Sequence, residues 1–338
     1  MPITIAVTGA GSLFGQGIIR SLKMSPLNIR IIALDFFSNA VGLYWGDKPY
    51  LLPDMFGKPE NEKKYLDQLM AALKKERAEL LFVGTDFEIK FIARHRQILE
   101  SETGCQIVVS SPRVSDVADD KWETHRFLKE KGFATPPSTI SLEGLDDFIQ
   151  EVGFPLIVKP RRGFRSVGVM QVNNREELDF AVKKSSSEWI IQKAVGSSAQ
   201  EYTCGAVVLQ GRCLGVIVMR RDLRDGNTYR AYLEPLPARL ESSIREMALA
   251  LNPHGSVNFQ GRLDGEDLVV FEINARFSGT TIIRALAGFN EVEAVVRTLV
   301  LKEKVFLQAK KYGVVLRYWE ELFVPWEDYN SMGALLKT

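Results

Sequence analysis

Cysteine is scarce in this chain and its charges nearly cancel. The 338 residues include three cysteines, Cys105, Cys204 and Cys213, far apart and without CxxC spacing. That leaves no disulfide framework to read, and their apolar, strand-like settings point to buried packing in a reducing compartment. Lysine and arginine number 43 against 42 aspartates and glutamates, so no electrostatic footprint argues for nucleic acid or an anionic membrane surface. No apolar run approaches membrane-spanning length, and the opening MPITIAVTGAG lacks the basic and long apolar regions of a signal peptide. Repeats of solenoid period are absent, and low complexity is confined to the serines at 185–187. The expectation is a soluble, cytoplasmic protein of roughly two domains.

What is present begins with α/β units. Ile3 to Val7 reads as a buried strand, followed by the turn Thr8-Gly-Ala-Gly-Ser-Leu-Phe-Gly15 and a helix to about Lys23. Such a turn can offer free amides to an anion at the helix start, or the glycines can merely permit tight packing. The next strand, Ile29 to Leu34, ends in Asp35, an acid suited to a ribose diol in a dinucleotide fold. Helices over 63–74 and 87–99 and strands over 80–83 and 106–109 continue the pattern. Asp86 lies past a strand's C-terminal end, where parallel sheets place ligands, although it can equally cap the next helix.

Residues 111–136 read as a helical bridge carrying Asp120-Lys121 and stopping at Gly132, before the break at Thr135-Pro-Pro137. An α+β unit follows: a helix over 142–152, strands over 155–159 and 169–172, a capped helix from Asn174, and a strand over 189–192. Lys159 closes an apolar strand, and Pro160 to Gly168 joins Gly163 and Gly168 with Arg161, Arg162 and Arg165. Such a loop can fold over a polyphosphate with backbone donors and positive charge. Strands over 202–209 and 212–220 come next. The segment RRDLRDGNTYRA reads as a solvated polar loop, ahead of a helix over 238–251.

The most informative stretch is VNFQGRLDGEDLVVFEINARFSGTT, residues 257–281. It reads as two strands joined at Asp264-Gly265. Alternation places Asn258, Gln260 and Arg262 on one face, with Glu272, Asn274 and Arg276 opposite, while Val270, Phe271 and Ile273 supply apolar bulk. Oxygen donors of this kind suit Mg²⁺ shared with nucleotide phosphates, and the adjacent arginine suits bidentate phosphate contact. Helix is expected over 286–301. The aromatic tail from Lys310 reads as a covering strand and loop, and its exposed aromatics are consistent with a homodimer.

Lys121, the 159–168 strand and loop, the 192–201 segment and Gln260…Glu272-Ile-Asn274-Ala-Arg276 occur in the order found in ATP-grasp enzymes. Over roughly residues 1–309 the chain resembles one ATP-grasp half of the carbamoyl-phosphate synthase large chain. The resemblance implies a mixed α/β and α+β architecture. A Rossmann-like pre-ATP-grasp domain would cover 1–110, linking helices and a lid subdomain 111–195, a C-terminal ATP-grasp subdomain 196–309, and an extension 310–338. It implies ATP and Mg²⁺, with Mn²⁺ as a substitute. Lys121 and Lys159 would hold phosphates under the loop with Gly163, Arg165 and Gly168. Gln192, Lys193 and Val195 would line adenine, and Glu201 would accept from the ribose. Gln260, Glu272 and Asn274 would bind the metal, and Arg276 would face the transferred phosphate. The implied activity is a carbon–nitrogen ligase that activates a small carboxylate as an acyl phosphate for attack by an amine. The implied acceptor role of the N-terminal domain removes the need for NAD at Asp35. Departures from the family are few loop glycines, Gln192 in place of a carboxylate, and a longer stretch before Glu201. Two rivals remain at this level: an NAD-dependent oxidoreductase or epimerase built on 1–110, and an ATP-binding regulator without turnover.

Overall fold

The computed structural model describes residues 1–163, 166–185 and 188–334. Arg165 and part of the serine run therefore lie outside the described residues. Three sheets organise the chain. The first is parallel, built from β1 (Ile3–Val7), β2 (Ile29–Asp35), β3 (Lys48–Leu51), β4 (Leu80–Phe82) and β5 (Gln106–Val108) in the order β3-β2-β1-β4-β5. Its connections are α1 (Leu13–Lys23), α2 (Val41–Trp45), α3 (Glu62–Glu76) and α4 (Asp86–Thr103). These strands are apolar almost throughout, as expected where helices cover both faces. The segment over 36–49 supplies α2 and the start of β3.

Helices α5 (Pro112–Asp119) and α6 (Lys121–Glu130) lead to a small antiparallel sheet. It comprises β6 (Ser138–Thr139), β7 (Leu156–Pro160), β8 (Met170–Val172) and β9 (Trp189–Lys193), with α7 (Leu145–Val152) and α8 (Arg175–Lys184) against it. The third sheet has order β14-β13-β10-β11-β12-β15, from β10 (Glu201–Leu209), β11 (Arg212–Arg224), β12 (Asn227–Leu233), β13 (Gly255–Asp264), β14 (Asp267–Asn274) and β15 (Gly313–Leu316). α9 (Ala238–Leu251) packs on one face of this sheet. On the other side lie α10 (Thr281–Leu286) and α11 (Glu291–Leu299). Their apolar residues, with Ile18 and Ile19 of α1, join the first and third sheets into a single buried cluster. A last helix, α12 (Trp326–Ala334), follows the tail strand.

Three expectations about elements are corrected. The helix expected over 286–301 starts only at Glu291 as α11, because Leu286 ends α10 and Gly288 adopts φ +85° between them. The polar run after Arg220 is not a solvated loop. β11 continues to Arg224 and turns through Asp225 and Gly226, at φ 52° and 71°, straight into β12. Positive φ at both central residues is the geometry of a tight two-residue hairpin. In the 257–281 hairpin, Gln260 opposes Glu272 and Asn258 opposes Asn274, but a bulge beyond Gln260 pairs Gly261 with Val270. Phe271 is the extra residue, and the bulge turns it from the apolar side into the cleft described below.

Candidate active site

A cleft of about 420 Å³ opens where the three sheets converge. The small sheet contributes Lys159 and Gln192, and the large sheet Glu201, Arg221, Asn258, Gln260, Arg262, Phe271 and Glu272. The N-terminal unit adds Ser12, Phe14, Asp86 and Phe87. Lys121, Gly163, Lys193, Val195 and Arg276 also line it. Gly168 and Asn274 lie outside this lining.

Lys159 is buried, with its ammonium 5.1 Å from the centroid of the Phe271 ring. Burial pushes its pKa down to about 7, and Lys121 and Arg262 add to this against the pull of Glu272. Lys121 is held by α6, whose N-cap is Asp120, and its Nζ donates to the Gly163 carbonyl at 3.0 Å. Glu272 answers both lysines across the cleft. Burial opposes its ionised form, yet Lys121, the Asn274 amide and Lys159 together hold its carboxyl below the usual range. Asn274 sits behind it. Its Nδ2 donates to Glu272 Oε1 at 2.9 Å, and its Oδ1 accepts from Arg276 Nη2 at 3.0 Å. Arg276 stacks over Phe14, with Cζ 4.1 Å from the ring centroid, and its Nε donates to Asp86 at 2.7 Å. Thr85, not Asp86, caps α4, so Asp86 is free to tie the large sheet to the N-terminal unit.

At the other end, Glu201 is buried between two guanidinium groups. Arg221 donates to Oε1 at 2.8 Å and Arg262 to Oε2 at 3.0 Å. Arg221 also donates to Gln260 Oε1 at 2.8 Å. Each oxygen accepts from both Nε and Nη2 of its arginine, so the carboxylate's lone-pair sites are taken by the two guanidinium groups. Reading the run after Arg220 as a solvated loop ranked Arg221 below a ligand contact, although the Asp225-Gly226 dipeptide was the available hairpin signal. Gln192 is buried, with Nε2 donating to Ser138 Oγ at 2.9 Å. The Lys193 ammonium turns away onto the Gly153 and Phe154 carbonyls, which leaves its main chain to the cleft.

Two features do not do what their composition suggests. Arg161 and Arg162 both pair with the buried Asp120, at 2.6 and 3.0 Å, and Glu188 takes Arg162 at 3.1 Å. Their charge is neutralised locally, so among the described residues of the loop no arginine is free for a polyphosphate. At the N-terminal turn, Ser12 Oγ accepts from the Phe14 and Gly15 amides, and Asp35 accepts from Gly11 and Phe37. The amides of Gly11, Phe14 and Gly15 are thus taken within the protein, as are those of Ala10 and Ser12 by the Leu34 and Gly9 carbonyls. Asp35 is buried beneath α2, and neither it nor Gly9, Gly11 or Gly15 lines the cleft. Its carboxylate holds the turn in place of a ribose, which removes the ground for the dinucleotide reading.

A family model described as "ATP-grasp in the biosynthetic pathway with Ter operon" matches residues 187–322, and one described as "D-ala D-ala ligase C-terminus" matches 130–230. A D-alanine–D-alanine ligase of Bacillus anthracis is 27% identical over 200 residues, which cover 52% of this chain and 64% of that ligase. An uncharacterized protein of Mycoplasma genitalium, MG011, is 24% identical over 269 residues, covering 70% of this chain and 86% of that protein. Among solved structures, N5-carboxyaminoimidazole synthetase from Staphylococcus aureus complexed with ADP superposes with a TM-score of 0.68 at 16% identity, covering 93% of this chain and 80% of that one. The resemblance at this identity is one of fold.

Proposed function

We propose, from the premise that the chain belongs to the ATP-grasp superfamily, that it is an ATP-dependent ligase joining a small carboxylate to an amine. The observation that carries this reading is the convergence of Lys121, Lys159 and Glu272 on one cleft, with Gln260 directly opposite Glu272. The lysines would meet the terminal phosphates. The main chain at Lys193 and Val195 would meet adenine, with Gln192 accepting from its amino group, and Glu201 would accept from the ribose in exchange for one of its arginine bonds. Arg276 would face the transferred phosphate. The chain would divide near residues 110, 195 and 309 and work in the cytoplasm, with a homodimer the expected assembly.

The donor set fits Mg²⁺, or Mn²⁺ in its place. Among the described residues no cluster of three or more His, Cys, Asp and Glu offers an all-protein cage. Glu272 is held ionised beside the amides of Gln260 and Asn274. One carboxylate, amide oxygens, phosphates and water make a hard, oxygen-only set. The cation would supply charge neutralisation at the phosphates. The lysines would offset charge as the substrate carboxylate attacks in line, and the cleft walls would shield the acyl phosphate from water. The amine nitrogen would then displace phosphate, leaving an amide, ADP and phosphate. The name of the D-alanine–D-alanine ligase supports a joining reaction of this class.

The test is ADP release with ATP-Mg²⁺ across paired amino acids, small carboxylates and bicarbonate. Release that depends on a carboxylate supports the reading. ATP binding with no release across the panel supports a regulator instead.

Lys159 gives a prediction about pH. With its pKa near 7 in the free protein, it is mostly neutral at pH 8, and a polyphosphate raises that pKa by favouring the charged form. ATP binding at pH 8 should therefore take up close to one proton, and affinity should fall as pH rises from 7 to 9. Calorimetry in buffers of different ionisation enthalpy measures the uptake. Lys159→Arg, always charged, should abolish it; equal uptake in both proteins would remove Lys159 from the phosphate site.

A further inference from the structure

The acids of the cleft are already engaged by its basic groups. Glu201 takes Arg221 and Arg262, Asp86 takes Arg276, and Glu272 faces Lys121 and Lys159. Arg317 stands apart. It lines the same cleft from the segment after residue 310, half-buried, and its Nη2 donates to the backbone carbonyl of Gly279. No acidic side chain among the described residues pairs with it. Burial and the nearby Arg20 hold its guanidinium below its usual range. A partly desolvated cation without a counter-ion is costly, and a carboxylate or phosphate would relieve that cost with two parallel hydrogen bonds.

Its position is built by the fold. β15 adds to the edge of the large sheet by pairing with β12, Leu316 opposite Arg230, and the Arg317 amide donates to the Tyr229 carbonyl at 3.1 Å. The side chain enters the cleft just after the strand ends, near the hydroxyls of Ser278 and Thr280, which hydrogen-bond each other at 2.6 Å. Gly279 also packs on Leu13 at the start of α1, so this end of the cleft abuts the N-terminal unit. Arg276, three residues before Gly279, borders the same end.

Resting on the ligase reading, we infer that Arg317 binds a carboxylate that the reaction does not consume, carried by the amine-bearing substrate, which is therefore an amino acid. The amine nitrogen attacks the acyl-phosphate carbon, the C–N bond forms, the C–O bond to phosphate breaks, and the nitrogen's proton leaves to solvent. The carboxylate on Arg317 passes unchanged into the product. The tail strand thereby becomes part of the substrate site.

The experiment measures ADP release with ATP-Mg²⁺ and amino acids, each beside its carboxamide, for the wild type, Arg317→Gln and Arg317→Lys. The wild type should show a KM for the acid roughly 10²-fold below that for the carboxamide. Arg317→Gln should raise the KM of the acid by a similar factor, leaving the KM of ATP and of the carboxamide unchanged, and Arg317→Lys should restore part of the loss. ADP release whose KM for the acid ignores Arg317→Gln would overturn this inference alone. An equal loss of kcat with acid and carboxamide would assign Arg317 to the fold and also overturn it. No ADP release with any pair would overturn the ligase reading and the inference with it.

Discussion

Replacing Glu272 by glutamine is expected to lower ADP release by roughly 10³-fold, the upper range for losing one preorganised electrostatic partner, while the protein remains folded. The amide keeps the volume of the side chain but removes the negative charge that faces Lys121 and Lys159. Two ammonium groups then repel across the cleft, and Lys159 loses the pull that opposes its burial. The cation site would lose its single carboxylate. Because Glu272 is only partly buried and opens on the cleft, water can solvate the lysines, so thermal unfolding should shift little. ADP release, Mg²⁺ titration and a melting curve on one preparation check this. Undiminished release from a folded Glu272→Gln protein would refute the metal assignment.

The second large effect is on stability. Arg284 and Glu291 form an ion pair with both side chains fully buried, Nη1 to Oε2 at 2.8 Å. Glu291 also accepts from Ser256 at 3.0 Å and Thr281 at 2.6 Å, and Arg284 Nη2 donates to Asn258, which also accepts from Thr203 at 2.8 Å. Gly205 lies beneath the guanidinium, where a Cβ would stand 2.4 Å from Cζ. The network joins α10, α11 and the two strands β10 and β13 behind the cleft, and Thr203 and Asn258 are its members on the cleft wall. Arg284→Met should cost about 3–5 kcal/mol, the penalty for leaving a buried charge unpaired. Adding Glu291→Gln should recover part of that, since the orphaned charge is then removed. Urea unfolding of the single and double variants measures both. A single variant of near wild-type stability would mean that Glu291 is solvated or neutral in the fold.

How much of this was legible in the sequence depends on how local the cause is. The alternation of Glu272 and Asn274 against Gln260 and Asn258 follows from strand geometry, and the observed register pairs them, while Arg276 lies beyond the strand's end. Lys159 at the end of an apolar strand carried its own signal. The bulge that turns Phe271 inward had none, because it depends on pairing with β13. Arg161 and Arg162 read as phosphate ligands only while their partner, Asp120, some forty residues earlier, was unknown. Asp35 was read as a ribose ligand for the same reason, since the Gly11 amide it accepts from is a long-range contact. Arg221 was hidden by a run of charged neighbours that suggested solvent, and Arg317 by a tail with no periodic pattern. Local alternation was thus readable, and counter-ions brought together by topology were not.

The most direct test of the central claim is a crystal structure with a non-hydrolysable ATP analogue and Mn²⁺, whose anomalous signal locates the cation. The account predicts a Mn²⁺ peak within bonding distance of the Glu272 carboxylate and the terminal phosphates against Lys121 and Lys159. A nucleotide seated on the glycine turn of residues 9–15, or a cation bound away from Glu272, would contradict it.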